Sequence, residues 1–292
     1  MRIFLTGASG FLGRHLIPLL NRHDLLLIGR NKGLNYPSNV SYIQGDLTNG
    51  QQWERMVADF SPELCVHLAW MGLPDYSLRM CLLNFEMSVR LFEVMIDIGC
   101  RKVFAAGTCW EYGDLQGKVS EKDVPESINL FASFKTGLRL VGESLAASRK
   151  IDFIWGRIFF VYGLGQRESS LIPSCYKALK EGRSPNINNP LHVNDFIHVS
   201  DAVSAISALI ETPNISGVFN IGSGSPSTVG EVVKIIAKRM KSEKLLPKYS
   251  DPSEEGGMWA DRSLIERKTR WKPLIPLASG IDKTITQLES RE

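Results

Sequence analysis

The sequence predicts an α/β protein built on a doubly wound parallel sheet, which is a sheet with helices on both faces. Three observations carry this prediction. Short apolar runs alternate with helical patterns, a glycine turn follows the first run, and the composition is that of an ordinary globular protein. Hydrophobic residues make up 43% and charged residues 22% of the 292 residues, which excludes collagen-like, disordered and coiled-coil classes.

Six apolar runs rich in strand-forming residues occupy about the first 160 positions. They are Arg2 to Thr6, Leu25 to Ile28, Val40 to Ile43, Leu64 to Ala69, Lys102 to Ala106 and Ile151 to Ile158. Helical spacing lies between most of them, after Gly10, around Trp53 to Phe60, from Leu82 to Ile98 and from Lys135 to Ser148. Strands that alternate with helices in this way favour a parallel sheet with crossover helices.

A glycine turn follows the first run. Its first glycine permits a tight turn, the second lets the backbone approach a pyrophosphate, and the third lets helix and strand pack closely. The turn follows a strand and opens a helix, whose N-terminus favours negative charge, so the sequence predicts a dinucleotide site. The candidate cofactor contacts here are Gly7, Ser9, Gly10, Phe11, Leu12 and Gly13.

The end of the second run indicates which dinucleotide is bound. An acidic residue there accepts the 2′-hydroxyl of NAD, whereas an arginine pairs with the 2′-phosphate of NADP. This chain has Arg30 and Lys32 there and no carboxylate, so we predict a preference for NADP(H), with NAD(H) as the alternative. Asp46, after the third run, is placed to meet the adenine amino group.

The chain divides unevenly after Tyr162, where turn-rich segments replace the regular alternation. Residues 1–160 are predicted to form a Rossmann-type dinucleotide-binding domain, to which segments at about 194–224 return. Residues 161–193 and 225–292 are predicted to form a smaller C-terminal substrate-binding lobe.

Charge and cysteine content favour small-molecule partners. The net charge is +3 with no run of five basic residues, so no nucleic-acid stripe or polybasic membrane anchor is expected. No apolar run reaches the roughly 18 residues that cross a bilayer. The five scattered cysteines form no C-x-x-C pair, and no metal site is predicted. We expect a cytoplasmic protein with reduced thiols.

These motifs resemble the extended short-chain dehydrogenase/reductase family, in particular its NAD-dependent epimerase/dehydratase group, which acts largely on nucleotide sugars. The matching segments follow in order along almost the whole chain: Thr6 to Gly13, Gly45 to Leu47, His67 to Ala69, Asn84, Arg157, Val161 to Gly163, Asn194 to Asp201, Asn220 to Gly224 and Trp271 to Pro273. The resemblance implies that Asp46 and Leu47 lie at the adenine and that Leu68 and Ala69 border the cofactor.

The resemblance also implies a catalytic set of a Ser or Thr, a Tyr, and a Lys four residues after the Tyr. The tyrosine transfers a proton, the lysine holds the nicotinamide ribose, and the Ser or Thr positions the substrate oxygen. Thr108 and Lys135 occupy two of these places, but the tyrosine place holds Phe131.

Phe131 lacks the proton-transferring atom, and loss of a general acid typically costs about 10²- to 10⁴-fold in rate. Three interpretations stay open. Phe131 is an introduced substitution in an active enzyme, or the enzyme recruits another donor from Tyr112, Cys109 or a water held by Thr108, or the protein binds the cofactor without turnover.

The resemblance implies a nucleotide-sugar substrate and a homodimer formed through the helices at 82–98 and 135–148. The candidate substrate contacts are Trp70, Cys109, Trp110, Arg157 and Tyr162; Tyr76 is read either as lining the same pocket or as packing. Dehydration is disfavoured because no carboxylate stands next to Thr108. The sequence therefore predicts NADPH-dependent reduction of a nucleotide-linked 4-keto-6-deoxy sugar, with an NAD-dependent epimerase and a noncatalytic NADP-binding protein as alternatives.

Overall fold

A computed structural model of the chain describes residues 1–31, 36–125, 128–247 and 256–290. The strands are β1 (Arg2–Thr6), β2 (Asp24–Gly29), β3 (Val40–Gln44), β4 (Leu64–His67), β5 (Lys102–Thr108), β6 (Gly117–Val119), β7 (Asp152–Ile158), β8 (Phe160–Tyr162), β9 (Val193–His198), β10 (Gly217–Ile221), β11 (Pro226–Thr228) and β12 (Met258–Ala260). The α-helices are α1 (Phe11–Leu16), α2 (Gly50–Phe60), α3 (Leu78–Asp97), α4 (Leu130–Arg149), α5 (Leu171–Lys180), α6 (Val199–Glu211), α7 (Val229–Arg239), α8 (Ser263–Thr269) and α9 (Leu277–Glu289).

Seven parallel strands form the central sheet, in the order β10-β7-β5-β4-β1-β2-β3. The predicted doubly wound parallel fold is confirmed. The strand order reverses at β1, so that Thr6 lies opposite His67 of β4 and Ile28 of β2. In such sheets ligands bind in the crevice outside the carboxyl ends of the strands at this reversal.

The central strands bury both of their faces, which is why they read as continuous apolar runs. In β1, Ile3 and Leu5 face the core beneath α6, whereas Phe4 faces the opposite core and stacks on Trp53 of α2 at 6.1 Å between ring centroids. Val203 of α6 belongs to the first of these cores. The sheet is therefore held between two apolar layers.

Two long helices begin one turn earlier than the sequence pattern indicates. The Ser77 side chain accepts a hydrogen bond from the Met80 backbone N–H and starts α3, and the Asn129 side chain likewise caps α4. The first residues of these helices, Leu78 and Leu130, are exposed leucines. Apolar residues at exposed positions break the amphipathic pattern, so the pattern does not mark the first turn. The earlier start places Phe131 in the first turn of α4.

A smaller three-stranded sheet, β11-β9-β8, packs with α5, α7 and α9 around its own core. Asp195 of β9 joins it to neighbouring segments, because its carboxylate accepts backbone hydrogen bonds from Ser223, Gly224 and Ala260 at 2.6 to 3.0 Å. In the range predicted as lobe, Trp271 packs in the core of the central sheet. The domain bounds derived from the sequence stay a prediction.

Three further features concern membranes, metals and thiols. Within the described ranges, no helix combines the length and apolar character needed to cross a membrane. The described residues also contain no group of three or more His, Cys, Asp or Glu side chains arranged to hold a metal ion. All five cysteines are buried and unpaired.

Candidate active site

Two adjoining cavities of about 310 and 460 Å³ open at the carboxyl edge of the central sheet. Leu68, Trp70 and Leu73 line both cavities, so the two spaces share a wall. The first contains the predicted cofactor residues Gly7, Ser9, Gly10, Arg30, Asp46, Leu47, Leu68 and Ala69. The second contains Phe11, Leu12, Leu68, Trp70, Tyr76, Thr108, Cys109, Trp110, Phe131, Lys135 and Tyr162.

The glycine turn brings three backbone segments together. Gly7 has a φ of +73°, and a Cβ atom there would lie 2.8 Å from the backbone nitrogen of Ala69. The Gly10 N–H donates to the Gly7 carbonyl at 3.0 Å. Gly13 lies outside both cavity walls and packs α1 against the turn, where a Cβ would overlap the Gly7 carbonyl. This cradle lets backbone approach a ligand closely, and so it fits a dinucleotide phosphate.

The predicted ribose and adenine contacts lie along the first cavity. Arg30 is exposed at the end of β2 and lines the cavity wall. Asp46 accepts hydrogen bonds at one carboxylate oxygen from the Thr48 N–H and hydroxyl, both at 2.9 Å, which fixes the orientation of the carboxylate. Lys32 lies outside the described residues.

His67 joins the ends of β1 and β4. Its Nδ1 lies 2.7 Å from the Thr6 hydroxyl, and its Nε2 lies 2.9 Å from the Ser88 hydroxyl. Burial, with the nearby charge of Lys135, lowers the pKa of His67 to about 3. The ring is therefore neutral near pH 7 and acts as a hydrogen-bonded tie between strand ends.

Asn84 of α3 holds the segment that follows β4. Its side-chain oxygen accepts from the Met71 N–H at 2.6 Å, and its amide donates to the Met71 and Met80 carbonyls. The neighbouring Trp70 is thereby fixed between the two cavities.

Thr108, at the end of β5, is held by Glu111. The Glu111 carboxylate is buried and accepts hydrogen bonds from the Thr108 N–H at 2.9 Å and from the Trp155 indole. The Thr108 hydroxyl in turn accepts from the Trp110 N–H at 3.3 Å, so the side chains reciprocally cap the 3₁₀ helix Cys109–Tyr112. Glu111 thus has a structural role that its place in the sequence did not indicate.

Arg157, which was predicted as a substrate contact, lies outside the walls of both cavities. Its Nε donates to Glu111 at 3.1 Å, and its guanidinium lies 4.4 Å from the ring centroid of Tyr112. The reason is that the buried Glu111 carboxylate requires a charged partner inside the protein. Tyr112 is likewise fully buried, and its hydroxyl donates to Asn220 at 2.7 Å. Burial raises the pKa of Tyr112 to about 12.

Lys135 reaches from α4 to the end of β5. Its Nζ donates to the Ala106 carbonyl at 2.8 Å and lies 3.9 Å from the ring centroid of Trp70. Burial lowers the pKa of Lys135 to about 7, against the opposing charge of Glu111. In either protonation state the Lys135 nitrogen keeps N–H donors that fit ribose hydroxyls.

Phe131 is the centre of an aromatic cluster. Its ring centroid lies 5.2 Å from Trp70, 4.9 Å from Tyr76 and 5.8 Å from Trp110. The cluster forms an apolar wall beside Lys135, and the Trp70 Nε1–H is buried there without a partner among the described residues. The wall of this cavity also contains residues that no sequence motif marked, including Phe160, Gln166 and Phe196.

Comparison with known proteins identifies the class. Residues 3–222 match the model of the NAD dependent epimerase/dehydratase family, and the chain belongs to this family, which confirms the resemblance. Its members are NAD(P)-dependent oxidoreductases of the short-chain dehydrogenase/reductase type, so this chain is an enzyme of that type.

Curated relatives and solved structures cover nearly the whole chain. The dTDP-4-dehydro-6-deoxyglucose reductase of Escherichia coli is 26% identical over 99% of this chain and 98% of its own length. The dTDP-6-deoxy-L-talose 4-dehydrogenase (NAD(+)) of Aggregatibacter actinomycetemcomitans is 25% identical over 86% of this chain and 94% of its own. UDP-glucuronic acid 4-epimerase from Bacillus cereus, in complex with UDP-glucuronic acid and NAD, has a TM-score of 0.88 at 23% identity, with complete coverage of both chains. That structural likeness supports the fold.

The lowered pKa of Lys135 makes stability depend on pH in the cofactor-free protein. The pKa is about 7 in the folded chain against an ordinary 10.5, so the unfolded chain binds more protons between these values. The free energy of unfolding should therefore rise with pH from about 7 to about 10, by up to about 1.4 kcal/mol per unit. Urea unfolding across this range measures the slope. Lys135→Met should remove this rise in the free energy of unfolding, whereas Lys234→Met, at an exposed position, should retain it. Equal slopes in both variants would contradict the assignment of the pH dependence to Lys135.

Proposed function

We propose that this enzyme reduces a nucleotide-linked 4-keto-6-deoxy sugar with NADPH. The observation that carries the proposal is the joint presence of Thr108 and Lys135 in one cavity that shares the Trp70 wall with the dinucleotide cavity. The end-to-end similarity to a 4-dehydro-6-deoxy sugar reductase supports the same reaction class.

Different residues of the cavity bind the substrate and the cofactor. The Thr108 hydroxyl hydrogen-bonds to the substrate oxygen, since Glu111 holds its backbone in place at 2.9 Å. Lys135 binds the ribose of the cofactor, and Trp70 and Trp110 exclude water from the reacting carbonyl. A bound reduced nicotinamide supplies the hydride.

The end of β5 favours reduction over dehydration. Elimination of water needs a general acid and base beside the sugar. Cys109 and Trp110 follow Thr108, and the carboxylate of Glu111 is engaged by the Thr108 N–H, Trp155 and Arg157. Glu111 is therefore withdrawn from proton transfer to a substrate.

The reaction is tested by mixing the enzyme with NADPH and dTDP-, GDP- or CDP-linked 4-keto-6-deoxy sugars and following absorbance at 340 nm. Oxidation of NADPH in step with loss of the ketone is expected. Thr108→Ala should lower kcat by about tenfold or more with NADPH still bound, because a hydrogen bond to the reacting oxygen is lost. Thr286→Ala, on the remote helix α9, is the matched control.

Interconversion of 4-hydroxy epimers without net NADPH oxidation would instead establish the second candidate, an epimerase that retains NAD. That candidate is favoured by the solved Bacillus cereus epimerase, which holds NAD. NADPH binding without either reaction would leave a noncatalytic binding protein.

Arg30 supports the preference for NADP(H). Its guanidinium is exposed at the cavity wall, where it can pair with a 2′-phosphate in two hydrogen bonds. Arg30→Asp should weaken NADPH binding by about ten- to hundredfold, since a charge-assisted bond contributes about 1.5 to 3 kcal/mol, and should spare NADH. Fluorescence titration with both cofactors measures this, with Arg55→Asp as a control of equal charge change. Tighter binding of NADH than NADPH by the unmodified chain would contradict the preference.

We also propose a homodimer formed through α3 and α4. These helices pack side by side, and the ring centroids of Phe85 and Phe134 lie 5.9 Å apart. The helices also expose leucines that a second copy of the chain would cover. Leu82 and Leu140 are 42% and 53% exposed. Leu82→Glu combined with Leu140→Glu should shift sedimentation from dimer to monomer. Leu274→Glu, at another exposed site, should leave the mass unchanged; a monomeric unmodified chain would overturn the proposal.

A further inference from the structure

Reduction of a ketone requires a proton for the carbonyl oxygen as well as a hydride for the carbon. The described residues lining the second cavity include no His, Asp or Glu. The side chains there that carry an O–H, S–H or ammonium proton are Tyr76, Thr108, Cys109, Lys135, Tyr162 and Ser170. One of these, or a water beside them, must supply the proton if the proposed function holds.

Four of these six are poorly suited to this role. Thr108 and Ser170 carry aliphatic hydroxyls, which donate hydrogen bonds but do not serve as general acids near neutral pH. Burial raises the pKa of the Cys109 thiol and that of the Tyr162 phenol. The Tyr162 hydroxyl also donates to the Leu277 carbonyl at 3.3 Å, on the lobe side.

Lys135 is assigned to the ribose of the cofactor in the proposed function, and contacts within the protein hold it in place. Its ammonium donates to the Ala106 carbonyl at 2.8 Å, and the Trp70 ring covers it at 3.9 Å. These contacts hold Nζ against β5. Tyr112 lies outside the cavity wall, and its hydroxyl donates a hydrogen bond to Asn220.

Tyr76 differs from the others in both its position and its hydrogen bonding. Its ring lies 4.9 Å from the ring of Phe131 and 5.3 Å from that of Trp110, inside the wall of the cavity. Within the described part of the chain its hydroxyl makes no hydrogen bond. Its backbone is fixed, because the Asp75 carboxylate accepts from the Ser77 N–H at 2.8 Å at the start of α3. The half-buried phenol of Tyr76 is thus available to hydrogen-bond to a substrate oxygen.

We propose that Tyr76 is the proton donor of the reaction and replaces the hydroxyl that Phe131 lacks; this rests on the proposed ketone reduction. The carbonyl carbon gains a C–H bond with the two electrons of the hydride from NADPH, and the π pair of the C=O bond moves to oxygen. That oxygen takes the phenolic proton of Tyr76, and NADP⁺ and the Tyr76 phenolate remain. A proton from the solvent then restores the Tyr76 phenol. The net reaction converts the ketone, NADPH and one solvent proton into the alcohol and NADP⁺, so atoms and charge balance.

Tyr76→Phe tests the proposal, because it removes one oxygen and keeps the ring contacts. With NADPH and the 4-keto-6-deoxy sugars, kcat should fall about 100-fold or more, while the Kd for NADPH stays within about threefold. The solvent deuterium isotope effect on kcat should change, which loss of packing alone would not cause. Tyr176→Phe, in the lobe core, is the matched control. Circular dichroism checks the fold of each variant.

A second variant distinguishes the donor from a packing residue. The double variant Tyr76→Phe, Phe131→Tyr moves the phenol from position 76 to position 131, across the same ring contact. Its kcat should be at least about tenfold higher than that of Tyr76→Phe alone. A kcat for Tyr76→Phe within threefold of the unmodified enzyme would overturn the proposal. So would an inactive unmodified chain that Phe131→Tyr activates, although the reductase function would then stand. No ketone reduction by any of these chains would overturn both.

Discussion

The close backbone approach at Gly7 is the constraint on which the site depends. A side chain there would collide with the backbone at Leu68 and Ala69, and one at Gly13 would collide with the Gly7 carbonyl. Because both positions lack a Cβ, the ends of β1 and β4 and the start of α1 meet at one point. The neutral His67 ring then bridges Thr6 and Ser88 across the same junction. The phosphate cradle and the shared wall at Trp70 both follow from this contact.

The second cavity depends on buried charge that is satisfied inside the protein. Glu111 accepts from Thr108, Trp155 and Arg157, so the end of β5 is held rigidly without exposing a carboxylate to the substrate. Lys135 lies against Ala106 with little solvation, and its pKa falls to about 7. The same burial that orders the site therefore sets which of these groups hold protons near neutral pH.

The parallel sheet and the glycine turn were predictable because strand and helix periodicities and glycine spacing are local properties of the sequence. Thr108 and Lys135 lie in the wall of one cavity, as expected from the family resemblance, because the end of β5 and the start of α4 meet there. The pairing of Arg157 with Glu111 was not predictable, because Glu111 lies 46 positions earlier in the chain and no local pattern records that pairing. The ring contact between Tyr76 and Phe131 likewise joins distant segments, and the lobe residues around Gln166 meet the cavity only through tertiary packing.

The central claim is that this site transfers hydride from NADPH to carbon 4 of a nucleotide-linked sugar. The most direct measurement uses NADPH carrying deuterium at carbon 4 of the nicotinamide on the transferred face, with the product examined by NMR and mass spectrometry. The account predicts one deuterium at carbon 4 of the deoxy sugar and its loss from the cofactor. Retention of all deuterium on the cofactor, with a sugar that is unchanged or only inverted in configuration, would contradict it.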